Sequence, residues 1–262
     1  MSTVVTLLTD FGHQDSYVAE MKGVLLSINP SLSIIDISHA ISPRDVRHGA
    51  YVLGCVIDRF PTDTIHVAVV DPGVGTSRRS LAVLHERGLF IGPDNGLLSA
   101  VLSGHGTRAV NEISNPIVMA DSVSPTFHGR DVFATAAAHA SLGVDAKTFG
   151  PAVSDPIVLE HGSPEPTEEG VRGRVIHVDR FGNVITNLNV RLFEGKRVNR
   201  VAVGDCVLDR ISETYADVAP GAAVALIGSQ GTLEISVNGE NAAGVWKIER
   251  GADVSVSWVG PE

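Results

Sequence analysis

The chain has 262 residues, with 30 acidic and 20 basic side chains, so its formal net charge is −10 with neutral histidines. That balance argues against a nucleic-acid binder, which needs a clustered basic face. Hydrophobic residues at 44% supply a sizeable core and exclude disorder for the bulk of the chain. The 27 glycines favour many tight turns.

Near the N-terminus, Asp10, His13, Asp15 and Glu20 interrupt every apolar stretch before it reaches signal-peptide length. No run approaches the roughly 20 apolar residues of a membrane span. Cys55 and Cys206 have no CxxC spacing, so neither a disulfide framework nor a zinc site is expected. A cytoplasmic location follows as an expectation.

From residue 1 to 150, β-branched runs alternate with helix-length amphipathic segments. Residues 4–8, 33–37 and 65–70 read as strands, and 15–28, 45–58 and 130–142 as helices. The alternation predicts a mostly parallel sheet between helices. Its strands end in the turns Thr9-Asp10-Phe11-Gly12, Ser38-His39 and Asp71-Pro72-Gly73-Val74-Gly75. Ligands of open α/β sheets bind beyond such strand ends. Residues 151–167, rich in proline and glutamate, read as an extended, solvated linker. From 168 to 262 the pattern is short strands, at 171–178, 184–188, 201–208, 223–227, 232–237 and 254–258, predicting a smaller all-β barrel or sandwich domain.

Asp10 can cap a turn or, with two carboxylate oxygens, hold a ribose diol. Its Asp10-Phe11-Gly12 triplet is no kinase motif, because it stands at the start of the chain. Segment 70–79 has glycines that allow a ligand to approach backbone. It lacks the Lys-Ser or Lys-Thr of a P-loop and the glycine spacing of a dinucleotide fingerprint. A turn in which Asp71 pairs with an arginine is the simple structural alternative. His128, within Pro125–Asp131, is a hydrogen-bonding helix-start residue or a member of a polar site with Asp71 and Arg78. Gly92–Gly96 reads as a wall of that site or as an ordinary capped turn, with the capped turn favoured. In the C-terminal half, Asp179 and Asn183 flank Phe181, which could cover a flat base, and Ser229 supplies a hydroxyl; hairpin turns are the alternative for both segments.

In combination, Leu8–Gly12, Val70–Arg78, Thr126–Asp131, Asp179–Asn183 and Ser229–Asn238 resemble the S-adenosyl-L-methionine hydroxide adenosyltransferases, relatives of the fluorinating and chlorinating nucleoside synthases. The resemblance spans nearly the whole chain. It implies an α/β domain carrying the catalytic set, a C-terminal β-domain contributing adenine and methionine contacts, and a homotrimer that binds S-adenosyl-methionine between subunits. It implies hydrolysis of S-adenosyl-methionine, as substrate, to adenosine and L-methionine; no cofactor, metal, nucleic-acid or membrane partner is expected. The family's hydrolytic Asp, Arg and His fall on Asp71, Arg78 and His128. Halogenating relatives have Tyr at the position of Asp71, lack the histidine, and place a halide-contacting serine where Gly129 stands. By the same carry-over Asp10 holds the ribose, Asn183 and the backbone near Val237 hold adenine, and Asp179 and Ser229 hold the methionine end. Phe181 and Glu234 complete the substrate contacts. Gln230 stands where the fluorinating relatives have arginine. The alternatives are a halide-dependent synthase on the same scaffold, a non-catalytic adenosine or S-adenosyl-methionine sensor, and a metal hydrolase using Asp10, His39, Asp71 and His128. The last lacks any close ligand spacing such as HExxH.

Overall fold

The computed structural model describes residues 2–160 and 162–259. The chain divides into two compact units, Met1–Leu159 and Glu160–Glu262.

In the first unit, β1 (Val4–Thr9), α1 (Tyr17–Ile28), β2 (Ser33–Ser38), α2 (Val46–Gly54) and β3 (Ile65–Val69) follow the predicted alternation. Next come β4 (Ser80–His85), β5 (Gly88–Pro93), α3 (Ser99–Leu102) and β6 (Thr107–Glu112), then α4 (Thr135–Ser141). The sheet order is β2-β1-β3-β5-β4-β6. β2, β1, β3 and β5 pair in parallel, whereas β4 is antiparallel to both neighbours, so the sheet is mixed. Alternating residues of β1 and β3 feed two cores. Val5, Leu7, Val67 and Val69 pack with Met21 and Leu25 of α1 and with residues 132–138. Leu8, Ala68 and Val70 pack with Leu53 of α2 and Val101 of α3. Burial on both faces is why the central strands read as continuous apolar runs.

Two expected helices differ in detail. The segment 45–58 is α-helical only to Gly54 and continues as a 3₁₀ turn, Ile57–Arg59. The segment 130–142 opens with a π-helical stretch, Gly129–Ala134, before α4. Residues 151–159, read from composition as a solvated linker, are strapped to the first unit. Ala152 bridges to Asn111, Asp155 pairs with Arg79, and the Ile157 and Leu159 amides donate to Asp94 and Ser99. A Pro-rich stretch thus finds its partners in side chains far away in sequence.

The second unit contains β7 (Glu165–Pro166), β8 (Gly170–Val178), β9 (Val184–Asn189), β10 (Arg197–Val203), β11 (Cys206–Leu208), β12 (Ala223–Ile227), β13 (Thr232–Val237), the short α5 (Ala242–Trp246) and β14 (Asp253–Val259). Its antiparallel sheet runs β11-β10-β14-β8-β9-β13-β12, with β7 on β8. A bridge from Ser212 to Leu226 of β12 brings the segment after β11 to the far edge, so the sheet curls toward closure. The expected single strand 201–208 is a hairpin, because Gly204 takes φ +53° and turns the chain between β10 and β11. Val171, Val175, Leu233, Ile235, Val254 and Val256 fill the interior.

Candidate active site

β3 ends at Val69, and the chain then turns through Asp71–Arg78 before entering β4. Thr76 Oγ1 donates to the Gly73 carbonyl at 2.7 Å, and Asn95 Nδ2 donates to the Val70 carbonyl at 2.9 Å, fixing the start of the loop. Gly75 has φ +76°, and a Cβ there would lie 2.3 Å from the Pro125 carbonyl oxygen. The loop after β3 is therefore pressed against the segment that carries His128, as only glycine permits.

That contact brings together three residues separated by up to 57 positions. Arg78 Nε donates to Asp71 Oδ1 and Oδ2, each at 3.0 Å, and Nη2 also donates to Oδ2. Nη2 stands 2.7 Å from His128 Nδ1, and Nη1 donates to Ser80 Oγ at 2.7 Å. The guanidinium lies over the Phe133 ring, 5.4 Å from its centroid. The Asp71 and Arg78 side chains are only 5% and 9% exposed, so solvent screens the pair little. Burial, and then the positive charge of Arg78, hold the His128 imidazole below its ordinary pKa. A guanidinium can only donate, so a neutral His128 accepts at Nδ1 and carries its proton on Nε2.

Asp131 lies three residues beyond His128 in the same segment. Its carboxylate accepts from the Ser124 amide at 2.8 Å and from Arg130 Nε at 2.6 Å, and Arg130 reaches on to Glu20. Burial works against its charge, yet the bonds from Arg130 and Ser124 hold the Asp131 carboxyl below the usual range. Arg79, the neighbour of Arg78, turns away to Asp94 and Asp155. The Gly92–Gly96 turn is a structural brace, with Asp94 nearly buried against that arginine.

Asp10, Phe11, Arg44, Asp71, Thr126, Phe127, His128 and Gly129 line one cavity of about 220 Å³ at the strand ends. Asp10 Oδ2 accepts from the Arg44 amide at 2.7 Å, leaving Oδ1 for another partner. At Gly129, a Cβ would press at 3.3–3.4 Å on Phe127, Met21 and Phe11. Among the described residues, no group of three or more His, Cys, Asp or Glu side chains is arranged to hold a metal ion.

The remaining sequence-predicted residues lie in the second unit. Asp179 Oδ1 accepts from the Phe181 and Asn183 amides, each at 2.9 Å, and Oδ2 accepts from Asn183 Nδ2 at 2.9 Å. The carboxylate thus closes its own β8–β9 turn and leaves Phe181 75% exposed. Val184 pairs with Ile235, so this turn flanks the Val237 end of β13. Ser229 is exposed in the turn at the opposite end, where Gly231 accepts from the Val190 amide. The strand register therefore separates Ser229 from Asp179 along β13. Glu234 is buried and accepts from Tyr215 Oη at 2.5 Å and Ser236 Oγ at 2.9 Å. Burial, and then the Glu234 carboxylate, push the Tyr215 phenol upward. Sequence reasoning missed Tyr215, which opens the short 3₁₀ turn Tyr215–Asp217 behind a Thr214/Asp217 capping box.

An α/β unit with a buried acid–guanidinium–imidazole group at its strand ends, followed in the chain by an antiparallel β unit, defines the class of a small-molecule enzyme. The SAM hydroxide adenosyltransferase N-terminal domain family matches residues 5–150, and the C-terminal domain family matches 173–255. The chain belongs to the SAM hydroxide adenosyltransferase family. It is 39% identical to the (R)-S-adenosyl-L-methionine hydrolase of Salinispora arenicola, covering 97% of each chain, and 38% identical to that of Thermus thermophilus, covering 95% and 98%. A fluorinase of Nocardia brasiliensis is 30% identical, with 97% and 96% covered. Among solved structures, an uncharacterized conserved protein from Thermotoga maritima superposes with a TM-score of 0.90 at 36% identity, covering 97% of this chain and 99% of that one.

Proposed function

We propose that this chain hydrolyses S-adenosyl-L-methionine to adenosine and L-methionine, with water attacking C5′ of the substrate. The observation that carries the reading is the Asp71–Arg78–His128 group, whose Asp71 and His128 line a cavity that also presents Asp10. Methionine leaves as a neutral thioether and needs no general acid, so the difficulty lies in the nucleophile. Asp71 Oδ1 accepts only one bond from Arg78 and keeps a lone pair for a water proton. The Nε2–H of neutral His128 donates to the same water, leaving an oxygen lone pair for C5′. Arg78 fixes both partners and steadies the charge that develops as the proton moves to Asp71. Holding oxygen, carbon and sulfur in line supplies a further large part of the rate.

Asp10 holds the ribose hydroxyls; Asn183, Phe181 and the Val237 backbone receive adenine; Asp179 and Ser229 serve the methionine end from opposite ends of β13, with Glu234 between them on the strand completing the substrate contacts. Aspartates around the site suit a cationic sulfonium. In this reading the enzyme is a cytoplasmic homotrimer with sites between subunits, uses no cofactor or metal, and has no nucleic-acid or membrane partner. No described helix is long and apolar enough to cross a membrane. Incubation with S-adenosyl-methionine in ¹⁸O-labelled water without halide tests the reaction. Label at the 5′-oxygen of adenosine is the expected result. Unlabelled or absent adenosine would overturn it, and product that depends on added chloride or fluoride would favour the synthase. Because the hydrolase relatives are named for the (R) sulfonium, that epimer is expected to react faster than the (S) form when the two are supplied separately.

A further inference from the structure

His39 stands outside the reacting group, yet it is the buried hub of a polar network at the end of β1 that reaches the surface through Asp36 and Lys22. Its side chain is fully buried, an unusual place for an imidazole unless its nitrogens are engaged. Nδ1 lies 2.8 Å from Thr9 Oγ1, and Nε2 lies 3.1 Å from Asp36 Oδ1 at a poor angle for a straight hydrogen bond. Asp36 is in turn gripped by Lys22 Nζ of α1 at 2.7 Å. The exposed His13 ring meets the His39 ring edge-on at 5.1 Å.

The network points at the cavity. Thr9 Oγ1 accepts from the Phe11 amide at 3.2 Å, and the His39 carbonyl accepts from the Gly12 amide at 2.8 Å. Both amides that follow Asp10 are therefore secured, directly or through Thr9, by one residue. A carboxylate can only accept, so the ring proton sits on Nε2 facing Asp36. Nδ1 then accepts from the Thr9 hydroxyl, whose oxygen is left to receive the Phe11 N–H. With the ring in place, the close contact with Asp36 and the two hydrogen bonds through Thr9 are oriented in one sense toward the turn.

We propose that His39 is a positioning residue that, through Thr9, holds the Asp10–Phe11 turn in the form that receives the substrate ribose. The inference rests on the reading of Asp10 as the ribose-holding carboxylate. Neither His39 nor Thr9 lines the cavity, so their effect on substrate passes through the turn.

The experiment compares Thr9→Val, Thr9→Ser, His39→Leu, His39→Asn and Asp10→Ala. Adenosine binding is followed by calorimetry, turnover by steady-state kinetics, and amide exchange by NMR. Thr9→Val and His39→Leu are expected to speed exchange of the Phe11 amide. They should also weaken adenosine binding and raise KM roughly three- to tenfold, the scale of one lost neutral hydrogen bond, with a smaller change in kcat. Thr9→Ser keeps the hydroxyl and should restore both readouts. His39→Asn, whose amide can occupy the place of Nδ1, should restore them in part. If His39→Leu fails to fold, the near-isosteric pair Thr9→Val and Thr9→Ser decides alone. Unchanged Phe11 exchange and unchanged KM in Thr9→Val, while Asp10→Ala still weakens adenosine binding, would overturn the role of His39. Intact binding in Asp10→Ala would instead overturn the ribose reading, and faster Phe11 exchange in Thr9→Val would then leave only the brace on the turn.

Discussion

Arg78 Nη2 stands 2.7 Å from His128 Nδ1 while the same guanidinium grips both carboxylate oxygens of Asp71. One cation thereby fixes an acceptor and a neutral imidazole at a set separation, which a lysine with its single point charge could not do. Arg78→Lys, Asp71→Asn and His128→Ala are each expected to lower kcat by roughly 10²–10⁴-fold with smaller changes in substrate affinity. Arg79→Ala is the control. Its guanidinium is engaged with Asp94 and Asp155, so it should lower thermal stability and leave turnover near the parent value. A reversed pattern, with Arg79 essential and Arg78 dispensable, would refute the placement of the nucleophile site.

The pH dependence follows from the same contact. Burial and Arg78 depress the His128 pKa below its ordinary 6.5, so the ring is neutral at neutral pH. Protonation would put a second N–H at Nδ1, facing the guanidinium, and break the 2.7 Å contact. Turnover is therefore expected to be level through neutrality and to fall only as pH drops below 6.5 toward the depressed value. A kcat profile whose acid limb lies above pH 6.5 would contradict a neutral, Nε2-protonated His128.

Much of this arrangement was legible in residue order. The runs at 4–8 and 65–70 are largely apolar because β1 and β3 are covered on two faces, whereas 33–37 forms the edge strand β2 with Ile35 and Asp36 exposed; the turns after the three carry Asp10, His39 and Asp71. β4 and β5 were not foreseen. Their two-residue Glu86-Arg87 turn lacks the Asn-Gly or Asp-Gly signature, and β5 ends in Gly92-Pro93. The bond from Arg78 to His128 spans 50 residues and depends on loops meeting at Gly75, which no local pattern encodes. The hairpin turn that the sequence offers at Asp179–Asn183 is present, but the hydrogen bonds by which the Asp179 carboxylate closes it are visible only in the structure.

Gly75 offers a direct test of that loop meeting. A Cβ there would lie 2.3 Å from the Pro125 carbonyl oxygen, at a φ of +76° that side chains resist. Gly75→Ala is expected to destabilise the fold by about 1–3 kcal/mol, since the backbone must leave its conformation or the two loops must separate. Separation would pull Arg78 from His128, so the loss of turnover should exceed the fraction unfolded at the assay temperature. Denaturant melts and kcat measured on one preparation check this, and parent-like values of both would show that the loops tolerate the contact.

His66 makes the last prediction, about stability rather than chemistry. It is fully buried in β3, with Nδ1 2.8 Å from Thr6 Oγ1 and its ring stacked on Phe90 at 4.5 Å. Its Nε2 and the Thr64 hydroxyl are buried without partners. Burial pushes the His66 pKa down to about 4 from 6.5. The folded state thus refuses a proton that the unfolded chain accepts between pH 6.5 and 4. Stability from this group is complete above 6.5 and is lost as pH falls through that window, by about 3 kcal/mol once pH is below 4. His66→Phe keeps an aromatic ring on Phe90 and removes the titration. It should flatten the decline in unfolding free energy between pH 6.5 and 4.5 by up to one proton's worth of slope, even if its stability at pH 7 is lower. His39 and His128, also depressed, supply the slope that remains. The carboxyls of Asp36 and Asp131, held below their ordinary 3.8, contribute at more acid pH. Parallel pH curves for parent and variant would mean that His66 is protonated in the fold, and the buried site would then need a partner for that charge.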